Sequence, residues 1–86
     1  MPCISEFYGI RVYFYFNDHQ PPHFHAIYGE HEAIIEIATM KVRRGGLPAR
    51  ATGLVFEWAR LRQADLMRAW RQAAEPSRID PIEPLP

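Results

Sequence analysis

Three of the four histidines of this 86-residue chain, His19, His23 and His25, lie within seven positions of one another. Because the side chains of a strand alternate between its two faces, His23 and His25 share one face if this segment is extended, about 6 to 7 Å apart. Imidazole accepts and donates protons near neutral pH and also binds divalent metals. The spacing therefore suits either an acid-base centre or a metal centre.

A metal centre needs at least one more ligand, and a predicted hairpin supplies it. If residues 29–30 form a two-residue turn, antiparallel pairing places Glu36 opposite His23. The same pairing places Glu32 opposite Ile27. Zinc or a similar divalent ion accepts mixed nitrogen and oxygen ligands. The candidate metal ligands are His19, His23, His25 and Glu36.

An acid-base centre would suit RNA cleavage, because one imidazole can take a proton while another returns one. The candidate catalytic residues are then His19, His23 and His25. Asp18 can orient its neighbour His19, or serve only as a turn former. Arginine side chains would hold the phosphate, and the candidates are Arg11, Arg43 and Arg44.

Two other interpretations need no catalysis. In the first, His23 and His25 are half-buried structural residues that bond to backbone or to nearby tyrosines. In the second, Tyr13 and Tyr15 beside Arg11 form an open sheet face that stacks single-stranded RNA or meets its symmetry mate in a homodimer. The loop before His23 leaves open which face of the sheet the histidines join.

Hydrophobic patterning predicts the elements that hold these residues. Alternating apolar and polar side chains, rich in β-branched and aromatic types, predict strands over 10–16, 23–28 and 31–37. Two prolines place a turn at 17–22, and 40–44 can add a short fourth strand. The expected sheet is an antiparallel meander of three or four strands.

A helical stretch follows the sheet. Residues 48–61 begin with a proline, which suits a first helical turn, and carry apolar residues at helical spacing. In a continuous helix Arg62 and Asp65 would fall on the apolar face, so we expect a break near Arg62. The predicted fold class is α+β, with residues 1–75 as one domain in which one kinked helix or two helices cover one sheet face. Prolines make 76–86 an extended tail, frayed or draped on a neighbour.

The net charge of zero hides a segregation of charge. Residues 1–39 sum to −4, with one basic and five acidic residues, and 40–78 sum to +6, with nine basic and three acidic residues. Two acidic residues in the last eight positions close the balance. This distribution excludes a uniformly basic nucleic-acid coat, but a basic helix surface that includes Arg68 and Arg71 can bind an acidic partner or a nucleic-acid backbone.

The composition also indicates the compartment. The single cysteine, Cys3, excludes an internal disulfide and the common cysteine-rich zinc fingers, and it favours a reducing compartment. The longest apolar run, 12–16, is too short to span a membrane, and the N-terminus does not resemble a signal peptide. We therefore expect a cytoplasmic protein.

A set of residues distributed over nearly the whole chain carries a family resemblance, and its central block is the most specific part. The residues are Pro2, Ile4, Ser5, Phe7, Tyr8, Gly9, Ile10, Phe16, Asn17, Asp18, His19, Pro21, Pro22, His23, Phe24, His25, Ala26, Tyr28, Gly29, Glu57, Trp58, Ala59, Ile82, Pro84 and Leu85. They closely resemble the small bacterial family called domain of unknown function 4160. The resemblance implies a place in two-gene modules beside another small protein, which suggests a toxin-antitoxin-like pair, and some members are labelled transcriptional regulators. It implies no catalytic or ligand residues.

From these observations we favour a small protein that binds a partner protein encoded by a neighbouring gene, with or without nucleic acid, as a component of such a module. The alternative from another class is a ribonuclease, metal-dependent or acid-base, centred on the histidines. A third is a self-associating structural protein without an active site. The candidate binding residues are Arg11, Tyr13, Tyr15, Arg43, Arg44, Arg68 and Arg71.

Overall fold

Five strands follow one another along the chain and pair in the same order in one antiparallel sheet. They are β1 (Cys3–Phe7), β2 (Ile10–Tyr13), β3 (His23–Tyr28), β4 (His31–Glu36) and β5 (Val42–Gly45), and they precede α1 (Ala49–Leu61) and α2 (Gln63–Gln72). The structure is a computed structural model that describes residues 3–15, 19–73 and 79–86.

The predicted α+β meander is confirmed, with one strand more than expected. The anticipated strands correspond to β2, β3, β4 and β5, although β2 ends at Tyr13, earlier than its pattern indicated. The additional strand, β1, lacks regular alternation because the adjacent residues Ile4 and Ser5 are both buried. Its register with β2 shifts at this point. A bulge therefore conceals β1 from a test based on alternation.

The hairpin of β3 and β4 has the predicted register. His23 lies opposite Glu36, and Ile27 lies opposite Glu32. The turn between the two strands contains Gly29 with a φ of 59°, a backbone conformation that glycine adopts at little cost. The residues opposite His23 and Ile27 across the β3–β4 ladder are thus the ones that the turn length predicted.

Both helices contribute to one core with the sheet. The buried core residues include Ile10, Val12, Phe14, Phe24, Ala26, Ile35 and Ile37 from the sheet region and Ala51, Val55, Trp58, Ala59, Leu66 and Ala69 from the helices. The predicted break is confirmed at Arg62, where φ is −112° and ψ is 18°. Leu61 belongs to the apolar pattern by spacing but is exposed, since it is the last residue of α1 before that break. Neither helix is long and apolar enough to cross a membrane, within the residues described.

The end of the chain is extended and lies against its own domain. Residues 79–86 contain neither helix nor strand, yet Ile82 and Leu85 are buried. The Ile82 N–H donates to the carbonyl of Ile4 at 2.7 Å, and the indole N–H of Trp58 donates to the carbonyl of Glu83 at 2.7 Å. The expectation of a frayed or neighbour-bound tail does not fit residues 79–86, because two apolar side chains and two hydrogen bonds hold them against the domain. Residues 76–78 lie outside the residues that the structure describes.

Candidate functional site

One open cleft brings together five of the residues that the sequence singled out. It has a volume of about 270 Å³. Its lining consists of His19, Gln20, Pro21, His23, His25, Ile34, Arg43 and Arg44. The three clustered histidines and two of the three phosphate-binding candidates therefore face one space.

Strand β3 positions His23 and His25 through simple alternation. Phe24 and Ala26 point into the core and are fully buried, so the residues on either side project from the opposite face. His25 lies opposite Tyr13, which shows that the histidines join the face of the β2 tyrosine, the point that the sequence left open. The two imidazole rings are 5.2 Å apart between centroids. His23 is 8% exposed and His25 is 6% exposed, yet both line the cleft.

A carboxylate fixes the orientation of His25. Its Nδ1 lies 3.1 Å from Oε2 of Glu32, and the ring of Tyr15 meets it edge-on at 4.1 Å between centroids. Nδ1 donates to the carboxylate, because an ionised carboxylate only accepts, so Nδ1 carries a proton. Glu32 was predicted opposite Ile27, and its contact with His25 is a diagonal one across the ladder. Diagonal neighbours two residues away were the signal that could have identified this pair.

A backbone carbonyl fixes His23. Its Nδ1 donates to the carbonyl of Pro21 at 2.8 Å, and its ring lies 5.1 Å from that of Trp70. The backbone bond is the one that the structural interpretation of these histidines anticipated. It also places a proton on Nδ1, since a carbonyl only accepts. The Gln20–Pro21 peptide bond in this loop is cis.

The third histidine, His19, is an exposed loop residue that lines the same cleft. Its proposed orienting partner, Asp18, lies outside the described residues, so that prediction is not addressed by the structure. His19 differs from the two strand histidines in that a loop carries it. The cleft thus combines two imidazoles with fixed positions and one on a connecting segment.

Strand β5 supplies the arginines through a bulge. The ladder with β4 pairs Arg44 and then Val42, with a register shift between them, so Arg43 is the extra residue. A bulge changes the normal alternation, which allows the neighbours Arg43 and Arg44 to line one cleft. Arg43 also approaches a carboxylate oxygen of Glu36 at 3.5 Å.

The described residues do not form the metal-ligand cluster that the sequence suggested. Glu36 does lie opposite His23, as predicted, but its carboxylate pairs with Arg43. Across residues 3–15, 19–73 and 79–86 no group of three or more histidine, cysteine, aspartate or glutamate side chains is arranged to hold a metal ion. Within the residues that the structure describes, no three of the predicted ligands His19, His23, His25 and Glu36 are therefore arranged to hold a metal ion.

Arg11 lies away from the cleft. It pairs with Ile27, and its Nε donates to a carboxylate oxygen of Glu6 at 3.1 Å. Hydrogen bonds with the Tyr13 side chain and with Glu6 raise the pKa of Arg11 from its ordinary value. The predicted phosphate ligand is thus the one of the three arginines that the fold does not bring to the histidines.

The predicted basic residues of α2 differ from each other. Arg68 lies 3.7 Å from carboxylate oxygens of both Asp65 and Asp80, and it donates to the side-chain oxygen of Gln72 at 2.9 Å. Arg71 is exposed. Arg68 therefore links the helix to the chain's own tail, and Arg71 remains the more accessible of the two.

Comparison with known proteins gives a family. The sequence profile described as "Domain of unknown function (DUF4160)" matches residues 9–71, which is more than half of the chain and includes the whole cleft. No curated protein and no solved structure shows significant similarity to the chain. The profile covers β2 to α2, the part of the fold that positions the histidines and arginines. The chain belongs to the DUF4160 family.

Proposed function

We propose that this protein binds single-stranded RNA by its phosphates in the cleft and cleaves it by acid-base catalysis without a metal. The observation that carries the proposal is the convergence of three histidines with Arg43 and Arg44 in one open cleft. Guanidinium groups bind phosphate oxygens strongly, and imidazoles transfer protons at neutral pH. No other described cavity combines these two chemistries.

In this mechanism His25 is the general base. Glu32 holds its Nδ1–H, as the carboxylate does in a histidine-carboxylate pair, so Nε2 takes the proton of a ribose 2′-hydroxyl. The 2′-oxygen then forms a bond to phosphorus while the bond from phosphorus to the 5′-oxygen breaks. DNA lacks the 2′-hydroxyl and is not a substrate.

A second histidine completes the reaction. His23 or His19 donates a proton to the departing 5′-oxygen, and the arginines neutralise the non-bridging oxygens. The products are a 2′,3′-cyclic phosphate and a 5′-hydroxyl, so atoms and protons balance without a co-reactant. His23 donates through Nδ1 to a backbone carbonyl and His19 is exposed, and substitution of each distinguishes their roles.

The test is cleavage of a labelled single-stranded RNA by the intact protein in the presence of EDTA. We expect cyclic-phosphate ends, and a rate about 10²- to 10⁴-fold lower in His25→Ala. His31→Ala is the matched control, because His31 is exposed in β4 and does not line the cleft. Absence of cleavage, or equal activity in His25→Ala, would reject the catalytic proposal. If the protein then still binds a 2′-deoxy oligonucleotide, and Arg44→Ala abolishes this binding, the cleft is a nucleic-acid-binding site without catalysis.

Partner binding is the second candidate, and the exposed arginines of the helices support it. Arg60 and Arg71 are exposed and lack an ion pair among the described residues, unlike Arg68. We propose a cytoplasmic component of a two-gene module that binds its neighbour's product and in this way takes part in a toxin-antitoxin-like pair or in transcriptional regulation.

The experiment for this candidate is co-purification from the native host. The double variant Arg60→Glu and Arg71→Glu should lose the partner, whereas Arg44→Glu in the cleft should retain it. A complex that survives the helix variant would exclude this surface. Recovery of homodimers alone would favour the self-associating alternative.

A further inference from the structure

A second cavity lies at the turn end of the sheet beside the start of α1. It has a volume of about 300 Å³. Its lining consists of Tyr8, Tyr28, Pro48, Arg50, Ala51 and Leu54. It shares no residue with the histidine cleft, and neither proposed function above uses it.

The two tyrosines of this cavity are held in exposed positions. Tyr8 is 56% exposed and Tyr28 is 38% exposed. Tyr8 has a φ of 49°, which is unfavourable for a bulky residue, and it precedes Gly9 with a φ of 80° in the β1–β2 turn. A Cβ on Gly9 would lie 3.3 Å from the ring of Tyr28. The turn thus keeps two aromatic side chains close together at the surface.

One of these tyrosines is hydrogen-bonded to the chain's own proline-containing tail. The Tyr8 hydroxyl donates to the carbonyl of Pro86 at 2.8 Å. The segment that provides this carbonyl, 79–86, contains three prolines and runs in an extended form over the domain. Aromatic-lined grooves bind such segments because extended proline-rich chains lose little entropy and present free carbonyls.

The charge of the cavity determines the charge of the ligand that it can bind. Arg50 is the one charged side chain among the lining residues, and no carboxylate in the described parts of the chain pairs with it. The other lining residues are apolar or aromatic, which suits proline rings. A cationic group at the rim of an apolar groove selects an acidic residue.

We infer that this cavity binds an extended, proline-rich segment with an acidic residue, contributed by a partner protein. Prolines pack between Tyr8, Tyr28 and Leu54, and the acidic residue pairs with Arg50. The inference gives the partner-binding candidate a site of defined chemistry, but it depends neither on the RNA cleft nor on Arg60 and Arg71. Tyrosine and arginine are also the residue types that dominate binding energy at interfaces.

The test is a titration of the intact protein with a fluorescent peptide of repeated Pro-Pro-Glu units, followed by anisotropy. We expect saturable binding whose Kd rises about tenfold or more in Arg50→Glu. Lys41→Glu is the control, since it makes a comparable charge change at an exposed residue that lines neither this cavity nor the histidine cleft. A Pro-Pro-Lys peptide should recover binding to Arg50→Glu, which shows that the variant is folded and that the charge pair is direct.

Several results would overturn the inference. Absence of saturable binding, or equal affinity in Arg50→Glu, would reject the site. Competition by adenosine monophosphate but not by unlabelled peptide would identify a nucleotide site instead. Chemical-shift changes confined to Ile82 and Leu85 would mean that the peptide merely replaces the tail.

Failure of the RNA assay together with intact peptide binding would reject only the cleft proposal.

Discussion

The helix-covered face of the sheet and its open face are built by different interactions. On the covered face, side chains such as Phe24 and Ile35 are buried against the helices, and apolar burial is the organising force. On the open face, His25 bonds to Glu32 and Arg43 approaches Glu36. The covered face is therefore organised by apolar burial, whereas the other face holds its buried histidines by hydrogen bonds and ring contacts.

The largest loss of stability is expected for Trp58→Ala on the covered face. Trp58 is fully buried, packs against Phe7 and Phe24, and holds the tail through its indole N–H. We expect a loss of about 3–5 kcal/mol in the free energy of unfolding, measured by urea denaturation. Leu61→Ala, exposed on the same helix, should change it by less than about 0.5 kcal/mol. Similar losses in both variants would contradict the assignment of the core.

A smaller effect is expected where backbone geometry, rather than burial, sustains the open face. Gly45 has a φ of 71°, and a Cβ there would collide with the carbonyl oxygen of Glu32. Gly45→Ala should cost about 1–3 kcal/mol and displace β5 with its arginines. Gly46→Ala is the control, because a Cβ at Gly46 meets nothing within 4 Å. Denaturation and RNA binding should be measured for both variants. Equal unfolding free energies and equal RNA binding in Gly45→Ala and Gly46→Ala would refute this role of Gly45.

Glu32→Gln separates function from stability on the open face. Glu32 is half exposed, and its bond to His25 should add less than about 1 kcal/mol to folding. Because a neutral amide does not stabilise the imidazolium that forms when His25 takes a proton, we expect RNA cleavage to fall by about tenfold or more. Glu30→Gln, in the turn, should leave cleavage unchanged. Equal cleavage in both variants would remove Glu32 from the mechanism while leaving the cleft intact.

The smallest effect concerns the tail. Arg68→Ala removes two ion pairs at 3.7 Å, to Asp65 and Asp80, on partly exposed groups. The cost in unfolding free energy should be below about 1 kcal/mol. Amide exchange in the tail should nevertheless accelerate, and Arg71→Ala should leave it unchanged. An identical exchange rate in both variants would show that apolar burial of Ile82 and Leu85 alone holds the tail.

Local rules were sufficient for part of this architecture. The β3–β4 register followed from a two-residue turn, so His23 and Glu36 could be paired in advance. The break at Arg62 followed from polar residues that would otherwise face the core. Both depend on a few neighbouring residues, for which propensity and spacing contain the necessary information.

Other features depend on contacts between distant parts of the chain. The tail packs on Ile4 and Trp58, which lie far from it in sequence, and no periodicity predicts that contact. The two bulges, at Ile4 and Arg43, interrupt alternation in ways that only the partner strand defines. The candidate site was therefore predictable as a histidine pair. Its convergence with Arg43 and Arg44, and the separation of Arg11 from it, were not.

The bulge at Arg43 has a consequence for how related sequences can diverge. Since this one additional residue lets two consecutive arginines share a cleft, deletion of a single codon in β5 would restore regular alternation and turn one guanidinium away. No arginine would need to be mutated. Chain length at this strand, rather than residue identity alone, then decides whether a relative keeps a doubly cationic cleft or a singly cationic one.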